Sequence, residues 1–384
     1  MRIKERDRTR RQGEEKMTYR FIVTGGGTSG HINPAITIAD SLRRFYSAKG
    51  DTCEIIFTGR SAGLEGELVP QAGYELRSIT AKPFPMRPGM KMVKAYKALR
   101  EGRKQCASII DEFAPDAVIG TGGYVCAPLL MEASAKKVPV IIHESNAFPG
   151  RANRMLGKKA DLVLTGFPDL EKVFAKAGRV VYTGNPIRSI MFGNTKAGAR
   201  ANLGIASDSK LVFVMGGSLG SKTLNDFALE AASDPELSDV HFVLSAGKQQ
   251  STHLSMSNIP ANLEVREYIN NTNDYLAGAD ICITRSGAVT CAESAAIGTC
   301  SIFVPYPHAA QDHQTYNARA FENVDGGIVV SDAEAVEGRL LQEVKALLKD
   351  PDRRARMSAN ATKLAVNDCD SRIVGAIDEL IGKK

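Results

Sequence analysis

Residues 280–317 read DICITRSGAVTCAESAAIGTCSIFVPYPHAAQDHQTYN and contain two short apolar strands that each end in a polar turn. The first strand, 281–284, ends in an Arg-Ser-Gly turn, after which the spacing predicts a helix of small residues over 288–297. The second strand, 300–304, ends in a Pro-Tyr-Pro turn. A turn that joins a parallel strand to a helix directs backbone N–H groups and the positive helix dipole into a crevice, where a phosphate can bind. These residues therefore predict a ligand site at the carboxyl edge of a parallel α/β sheet.

The helix predicted over 288–297 carries one carboxylate, Glu293. Its neighbours are mostly Ala, Ser and Cys, which let the backbone pack close to other elements. We expect Glu293 to face the crevice, where it would accept hydrogen bonds from a pair of sugar hydroxyls. The polar run 308–314 supplies amide and imidazole groups at the same edge.

Length and composition indicate a two-domain globular chain made and kept inside the cell. The 384 residues are 43% hydrophobic and 24% charged, and this length exceeds one ordinary core. Seven cysteines without a CxxC pair are typical of reduced core thiols in a cytosolic protein. No apolar run reaches the roughly 18 residues of a membrane helix, and no apolar segment typical of a signal peptide follows the basic start.

The net charge of +6 is concentrated in two places. Residues 1–16 have almost no large apolar side chains, which predicts a disordered basic extension. Residues 81–104 contain eight Lys/Arg against one Glu, with Phe84, Met86 and Met90 among them. A solvated helix face is one interpretation, but apolar side chains among so many cations favour the surface of a bilayer. We expect no nucleic-acid partner.

A glycine turn follows the first predicted strand, 20–24. Gly25, Gly27 and Gly30 match GxGxxG between that strand and a helix predicted over 34–44. A dinucleotide fold would end the next strand in an acid that holds the ribose, whereas this one ends in Thr-Gly-Arg. An NAD(P)-dependent dehydrogenase therefore remains an alternative with little support.

His31 stands where this helix begins. A capping or packing role is the simplest interpretation. A histidine at a glycine-rich turn is also well placed for proton transfer, and we take His31 as the leading candidate base.

The chain contains an internal repeat. Residues 116–132, DAVIGTGGYVCAPLLME, align with 280–296, and a second glycine turn at 215–221 matches the first. Two doubly wound α/β halves explain both matches, with a boundary near 184–201 and a cleft between facing edges. This arrangement is typical of a nucleotide-sugar enzyme. The Asp-x-Asp at 368–370 precedes the last predicted helix, where capping is expected, so no metal site is predicted.

The order of the motifs resembles the MurG family of peptidoglycan N-acetylglucosaminyltransferases from residue 17 onward. The motifs are GGGTSGHINP (25–34), GTGGYVCAP (120–128), HESNAFPGRANR (143–154), TGNPIR (183–188), MGGSLGSKTLN (215–225) and SGAVTCAE (286–293). The resemblance implies the α/β GT-B fold, with two Rossmann-like doubly wound domains facing across a cleft. An acceptor and membrane domain would span 17–187, a donor domain 188–365, and the helix at 366–384 would pack back on the first domain.

The resemblance also implies the reaction: transfer of N-acetylglucosamine from UDP to the C4 hydroxyl of N-acetylmuramoyl-pentapeptide on undecaprenyl diphosphate (lipid I), with inversion. It places phosphate contacts at Arg188 and Ser218, the uracil at Ile269, the ribose at Glu293 and the transferred sugar at Gln314. Family members often carry Gln-Gln where this chain has His313-Gln314. The complete set of implied donor contacts is Thr28, Ser29, Gly30, Asn146, Arg188, Ser218, Ile269, Ala288, Val289, Glu293 and Gln314. Catalytic candidates are His31 and Glu144, and no metal or cofactor is implied.

The expected partners are UDP-N-acetylglucosamine, lipid I and an anionic inner-leaflet surface that binds residues 84–104. The protein is then expected at the cytoplasmic face of the cell membrane as a peripheral protein, with other cell-wall synthesis proteins as further candidate partners. Two alternatives stay open. One is a related GT-B enzyme that glycosylates diacylglycerol, and the other is a catalytically silent nucleotide-sugar binding protein.

Overall fold

The computed structural model describes residues 16–382 apart from 86, 88, 188–190, 249 and 251–258. Within them lie two parallel sheets. The first has the order β3-β2-β1-β4-β5-β6-β7, with β1 (Thr18–Thr24), β2 (Thr52–Gly59), β3 (Glu75–Ser78), β4 (Ala117–Gly120), β5 (Val140–Glu144), β6 (Leu162–Thr165) and β7 (Val180–Tyr182). The second has the order β10-β9-β8-β11-β12-β13, with β8 (Lys210–Met215), β9 (Val240–Ser245), β10 (Leu263–Arg266), β11 (Ile281–Thr284), β12 (Ser301–Phe303) and β13 (Gly327–Val329).

Helices connect these strands. Those of the first half are α1 (Ser29–Ala48), α2 (Glu65–Gln71), α3 (Met90–Phe113), α4 (Cys126–Ala135) and α5 (Arg151–Leu156). Those of the second half are α6 (Lys196–Leu203), α7 (Lys222–Ser233), α8 (Thr272–Gly278), α9 (Ala288–Ile297), α10 (His313–Glu322), α11 (Asp332–Val336), α12 (Arg339–Lys349) and α13 (Pro351–Ala361). The last helix, α14 (Cys369–Ile381), follows them.

The central strands are nearly continuous apolar runs because helices cover both faces of each sheet. All four residues of β4 and of β11 are buried, which is the pattern of an inner parallel strand. Each sheet therefore has an apolar core on either side, and the turns at the carboxyl ends of the strands are left to carry polar groups.

The internal repeat is present in the topology. The first six strands of one sheet and the six of the other have the same order, so β1 corresponds to β8 and β4 to β11. The predicted α/β fold class, with two doubly wound sheets, is confirmed. The strand predicted at 281–284 and the helix predicted at 288–297 coincide with β11 and α9.

Two local predictions differ from the structure. Helix α1 begins at Ser29 rather than at residue 34, because Thr28 is extended and its carbonyl already accepts hydrogen bonds from the N–H groups of His31 and Ile32. The acids expected to cap α14 form ion pairs instead. Asp368 makes no capping bond and accepts from Arg372, while the carboxylate of Asp370 lies 2.9 Å from Arg44 on α1.

Helix α14 packs on the first half although it follows the second in sequence. Ile373, Val374 and Ile377 are buried in the same core as β1 and α1. Among the described residues, no helix combines the length and apolar character needed to cross a membrane.

Candidate active site between the two halves

The carboxyl edges of the two sheets meet, so turns from both halves share one surface. Helices α1 and α9 are in contact across this junction. The backbone N–H of Ala147, in the turn after β5, donates to the Asn317 side chain on α10 at 2.9 Å. Residues widely separated in sequence therefore form one candidate site.

The N-terminus of α1 projects into this junction. The N-cap residue, Thr28, makes no capping bond with its side chain, and the first N–H groups of a helix have no partner within it. Thr28 and Gly30 are exposed. The predicted contacts Thr28, Ser29 and Gly30 thus lie at one open helix end, where the dipole favours a negative charge.

His31 lies in the first turn of α1, half-buried. Its Nδ1 is 3.2 Å from the carbonyl oxygen of Thr121, after β4. Since a carbonyl only accepts, Nδ1–H is assigned as the donor, which leaves the Nε2 lone pair available. Burial, followed by the nearby His313, lowers the pKa of His31 to about 4, against the opposing effect of the Thr121 bond. The imidazole is therefore neutral near pH 7 and can accept a proton.

Glu144, the second catalytic candidate, is enclosed by its own loop and is 1% exposed. Its carboxylate accepts from the backbone N–H groups of Asn146 and Gly150, at 3.0 and 2.9 Å. It also accepts from the side-chain amides of Asn146 and Asn153, at 3.1 and 2.9 Å. Burial raises its pKa, and these bonds lower it. Both oxygens thus hold the loop after β5 in place, and the role of Glu144 as a base stays a prediction.

Asn146 and Asn317 join the two halves directly. The Nδ2 of Asn317 donates to the Asn146 side-chain oxygen at 3.2 Å and to the carbonyl of Ser286 at 3.1 Å. Its side-chain oxygen accepts from Ala147. Asn317 is fully buried, and next to it Tyr316 stacks on Phe148 with ring centroids 4.8 Å apart. The predicted donor contact Asn146 is thus also part of a fixed bridge between the halves.

The N-terminus of α9 is the corresponding open helix end of the second half. Its N-cap is Gly287, which has no side chain for a capping bond, and the predicted contacts Ala288 and Val289 form its first positions. Glu293 follows one turn later and is half-buried. These residues lie together in the first two turns of α9, and their contacts with the donor stay a prediction.

Gln314 lies close to this helix end. The Oγ of Ser286 donates to the Gln314 carbonyl at 2.8 Å, and the Gln314 side-chain oxygen accepts from the Tyr306 N–H at 2.9 Å. Its amide NH₂ group has no hydrogen-bond partner among the described residues.

Three other predicted contacts have different outcomes. Ser218 is exposed in the turn after β8. Ile269 is 3% exposed and packs with Phe213 and Tyr275, so its side chain belongs to the core. A uracil ring bound here would contact the backbone of Ile269 instead. Arg188 lies outside the described residues.

Sequence reasoning missed one buried and one half-buried charged group beside the site. Glu65, which is 1% exposed, accepts from the N–H groups of Arg60 at 3.1 Å and Gly27 at 3.4 Å, so it shapes the first glycine turn. Arg285 donates to the carbonyls of Val304 and Pro305, just after β12, at 3.0 and 3.1 Å, and pairs with Asp332. Glu65 is the first residue of the short helix α2 and Arg285 lies in a turn, so neither gave a periodic signal.

The site therefore combines two open helix ends with one neutral imidazole. Such an arrangement can bind a diphosphate and accept a proton from a hydroxyl. Among the described residues, no group of three or more His, Cys, Asp or Glu is arranged to hold a metal ion.

Comparisons with known proteins identify the family. Residues 21–165 match the glycosyltransferase family 28 N-terminal domain, and residues 211–373 match the family 28 C-terminal domain. The chain is 37% identical over 371 residues to the UDP-N-acetylglucosamine--N-acetylmuramyl-(pentapeptide) pyrophosphoryl-undecaprenol N-acetylglucosamine transferase of Acetivibrio thermocellus, covering 95% of this chain and 99% of the relative. It is 36% identical to the protein of the same name from a Thermoanaerobacter species, covering 94% and 100%. The crystal structure of Acinetobacter baumannii MurG superposes with a TM-score of 0.72 at 25% identity, covering 95% and 100%.

Proposed function

The chain belongs to glycosyltransferase family 28, and we propose on that premise how its cleft carries out the family's reaction. It is a UDP-N-acetylglucosamine-dependent transferase of peptidoglycan synthesis, which adds N-acetylglucosamine to lipid I to form lipid II. The observation that carries the assignment is similarity to these transferases over nearly the full length of both chains. The contact between helices α1 and α9 supports it, because it brings the two halves together where donor and acceptor must meet.

The donor binds mainly to the second half in this proposal. The N-terminus of α9 faces the diphosphate, with Ser218 and Arg188 as further phosphate contacts. Glu293 accepts hydrogen bonds from the ribose hydroxyls, and the amide of Gln314 contacts the transferred sugar. As UDP leaves it gains negative charge, which a helix N-terminus stabilises where it develops.

His31 receives the acceptor proton. The C4 oxygen of the acceptor attacks the anomeric carbon as the bond from that carbon to the UDP oxygen breaks, which inverts the anomeric centre. The hydroxyl proton moves to Nε2 of His31, and UDP departs as the anion. The Thr121 carbonyl holds Nδ1–H, so the base keeps the required tautomer.

The reaction requires no bound metal ion in this proposal, because helix dipoles and arginine supply the positive field at the diphosphate. Full turnover in excess EDTA is expected. Loss of activity that only a divalent ion restores would contradict this part.

The first half binds to the membrane through the apolar-basic segment, residues 84–104. Its side chains Phe84, Met90 and Tyr96 are 38%, 73% and 66% exposed beside many cations, whereas Met86 lies outside the described residues. Lipid I is anchored by an undecaprenyl chain, so the enzyme has to reach the bilayer surface to meet it. This segment would place the protein at the inner leaflet as a peripheral protein, where other proteins of cell-wall synthesis are candidate partners.

Incubation with radiolabelled UDP-N-acetylglucosamine and a short-chain lipid I analogue tests the proposal, with the product identified by mass. The expected product carries one β-linked N-acetylglucosamine. Diacylglycerol as acceptor separates the related lipid glycosyltransferase, and a reaction without acceptor measures donor hydrolysis. Donor binding without transfer to any analogue would indicate a silent binding protein.

A further inference from the structure

A groove lies at the outer edge of the first sheet, beside the candidate site but separate from the donor contacts. It has a volume of about 340 Å³, within the range of small-molecule sites. Its walls are the turn after β2 and the segment that leaves β3. The lining residues are Arg60, Ser61, Ala62, Ser78, Ile79, Thr80, Ala81, Lys82 and Pro83.

The chemistry of the groove suits an anion. Arg60 and Lys82 are its charged residues, three hydroxyl side chains accompany them, and no carboxylate lines it. Neither cation forms an ion pair within the part of the chain that the structure describes. The neighbouring Glu65 is buried, with its carboxylate turned to backbone N–H groups. Two cations are thus available to a ligand, together with hydroxyl donors.

The groove lies between the first glycine turn and the apolar-basic segment. The guanidinium of Arg60 donates to the Tyr124 hydroxyl at 2.5 Å, and the Tyr124 ring borders Gly27, where a Cβ atom would lie 3.4 Å from it. At the other end, Lys82 and Pro83 lead directly into Phe84, the first exposed apolar residue of that segment. In space, the groove therefore lies between the glycine turn and the segment that we propose contacts the membrane.

The acceptor has the same order of chemical groups: a sugar that reacts, a pyrophosphoryl group and a lipid. We propose that the groove binds the pyrophosphoryl group of the acceptor, with Arg60 and Lys82 as its charged contacts. This inference rests on the proposed function. The sugar then reaches His31 while the lipid continues along the apolar-basic segment into the bilayer.

The acceptor has a second set of anionic groups that could bind in the groove, namely the carboxylates of its stem peptide. They branch from the sugar and do not lie between it and the lipid. An acceptor without the stem peptide therefore distinguishes the two sources.

The test compares the parent with Arg60→Ala, Lys82→Ala and the double variant. Lys176→Ala is the matched control, since Lys176 is an exposed lysine of the same half that precedes β7 at the opposite edge of the sheet. Loss of a charge-assisted contact should lower acceptor kcat/KM about tenfold for each cation removed. The donor KM and the control variant should stay unchanged. Lys82→Arg should retain most of the activity, because it keeps the charge.

The same loss is expected with an acceptor that lacks the stem peptide. A loss that disappears with that acceptor would assign the groove to the peptide and overturn the proposal.

Calorimetric titration with geranyl diphosphate gives a second readout that does not require transfer. Parent binding should weaken about tenfold in Lys82→Ala, and Lys176→Ala should bind like the parent. Equal binding by parent and double variant would overturn the groove assignment even if the parent transfers sugar. If the parent transfers no sugar but still binds geranyl diphosphate about tenfold more tightly than Lys82→Ala does, the result counts against the proposed function and not against the groove.

Discussion

The turns after β1 and β8 occupy equivalent positions in the two sheets, yet they are built differently. Both turns are too tight for a side chain directly after the strand, since a Cβ atom would lie 2.2 Å from the Thr121 hydroxyl at Gly25 and 2.5 Å from the Ser221 nitrogen at Gly216. The helix after the first turn has no side-chain cap, but Ser221 caps α7 by accepting from the Leu224 N–H. In the second half the open helix end belongs to α9.

Equal topology therefore does not mean equal chemistry. The first half places its open helix end directly after β1, together with His31 and the enclosing Glu65. The second half places its own after β11, next to Glu293. We infer that the first half handles the proton and the acceptor, and that the second half holds the nucleotide.

Replacement of His31 should give the largest effect. His31→Ala removes the proposed base, so kcat should fall by about 10² to 10⁴ while the donor KM changes little. Steady-state kinetics with a soluble lipid I analogue measures this. His241→Ala, a partly exposed histidine of the second half, is the matched control and should behave like the parent. Near-normal kcat in a folded His31→Ala would exclude the base role.

The pH profile sharpens the same assignment. The pKa of His31 is lowered from 6.5 to about 4, so the neutral base persists as pH falls through 6. Its contribution to kcat/KM should stay constant from pH 7 to about 5 and fall about tenfold per pH unit only below about 4, where the ring is protonated. Measurement of kcat/KM across this range, with protein stability checked at each pH, tests it. An acid limb centred near 6.5 would mean that the histidine is not held as the structure shows.

Replacement of Glu293 should affect binding rather than chemistry. A carboxylate on the ribose binds ground state and transition state alike, so Glu293→Ala should raise the donor KM with kcat nearly unchanged. Loss of a charged acceptor costs about 1.5–3 kcal/mol, or roughly 10- to 150-fold in KM. Glu322→Ala on α10, an exposed glutamate of the same half, is the control. A collapsed kcat with a normal donor KM would contradict the division between the halves.

Local pattern and distant contact explain what the sequence could and could not predict. The strand, turn and helix at 281–297 were predicted because apolar runs and glycine spacing are local signals. His31 was found because it directly follows a glycine turn. Glu65 bonds to a glycine 38 residues earlier, and Asn317 bonds to Asn146 across 171 residues, so neither contact leaves a local signal. Ile269 was predicted to lie against the uracil, but tertiary packing places its side chain in the core.

Replacement of Asn317 should weaken the link between the halves. Its buried amide bonds to groups on both sides, and loss of such bonds costs about 1–3 kcal/mol. Asn317→Ala should lower kcat/KM for both substrates by about tenfold. Hydrogen exchange in the loop 145–150 should accelerate, because the Ala147 N–H loses its acceptor. Asn323→Ala, an exposed asparagine at the end of the same helix, is the control. Unchanged exchange in that loop would show that the bridge does not hold the halves together.

The smallest effect is expected for membrane binding, which depends on a surface of the first half outside the cleft. The first half exposes Phe84 and Met90 among cations, whereas the exposed Val336 of the second half follows two acids in α11. Anionic lipids attract Lys and Arg by about 1 kcal/mol per charge near the surface, a contribution that salt screens. Apolar burial adds roughly 25 cal/mol per Å², a contribution that salt does not screen.

Vesicle co-sedimentation separates these two contributions. Binding should require anionic lipid and fall as ionic strength rises. At fixed salt, Phe84→Ser with Met90→Ser should weaken binding roughly fivefold per side chain, since each buries only part of its surface and contributes about 1 kcal/mol. The same variant should still turn over a water-soluble acceptor, and Val336→Ser should bind vesicles like the parent. If the double variant and the parent bind anionic vesicles equally, the apolar side chains do not enter the bilayer. The apolar-basic segment is then a solvated cationic face, and membrane contact must be sought elsewhere on the first half.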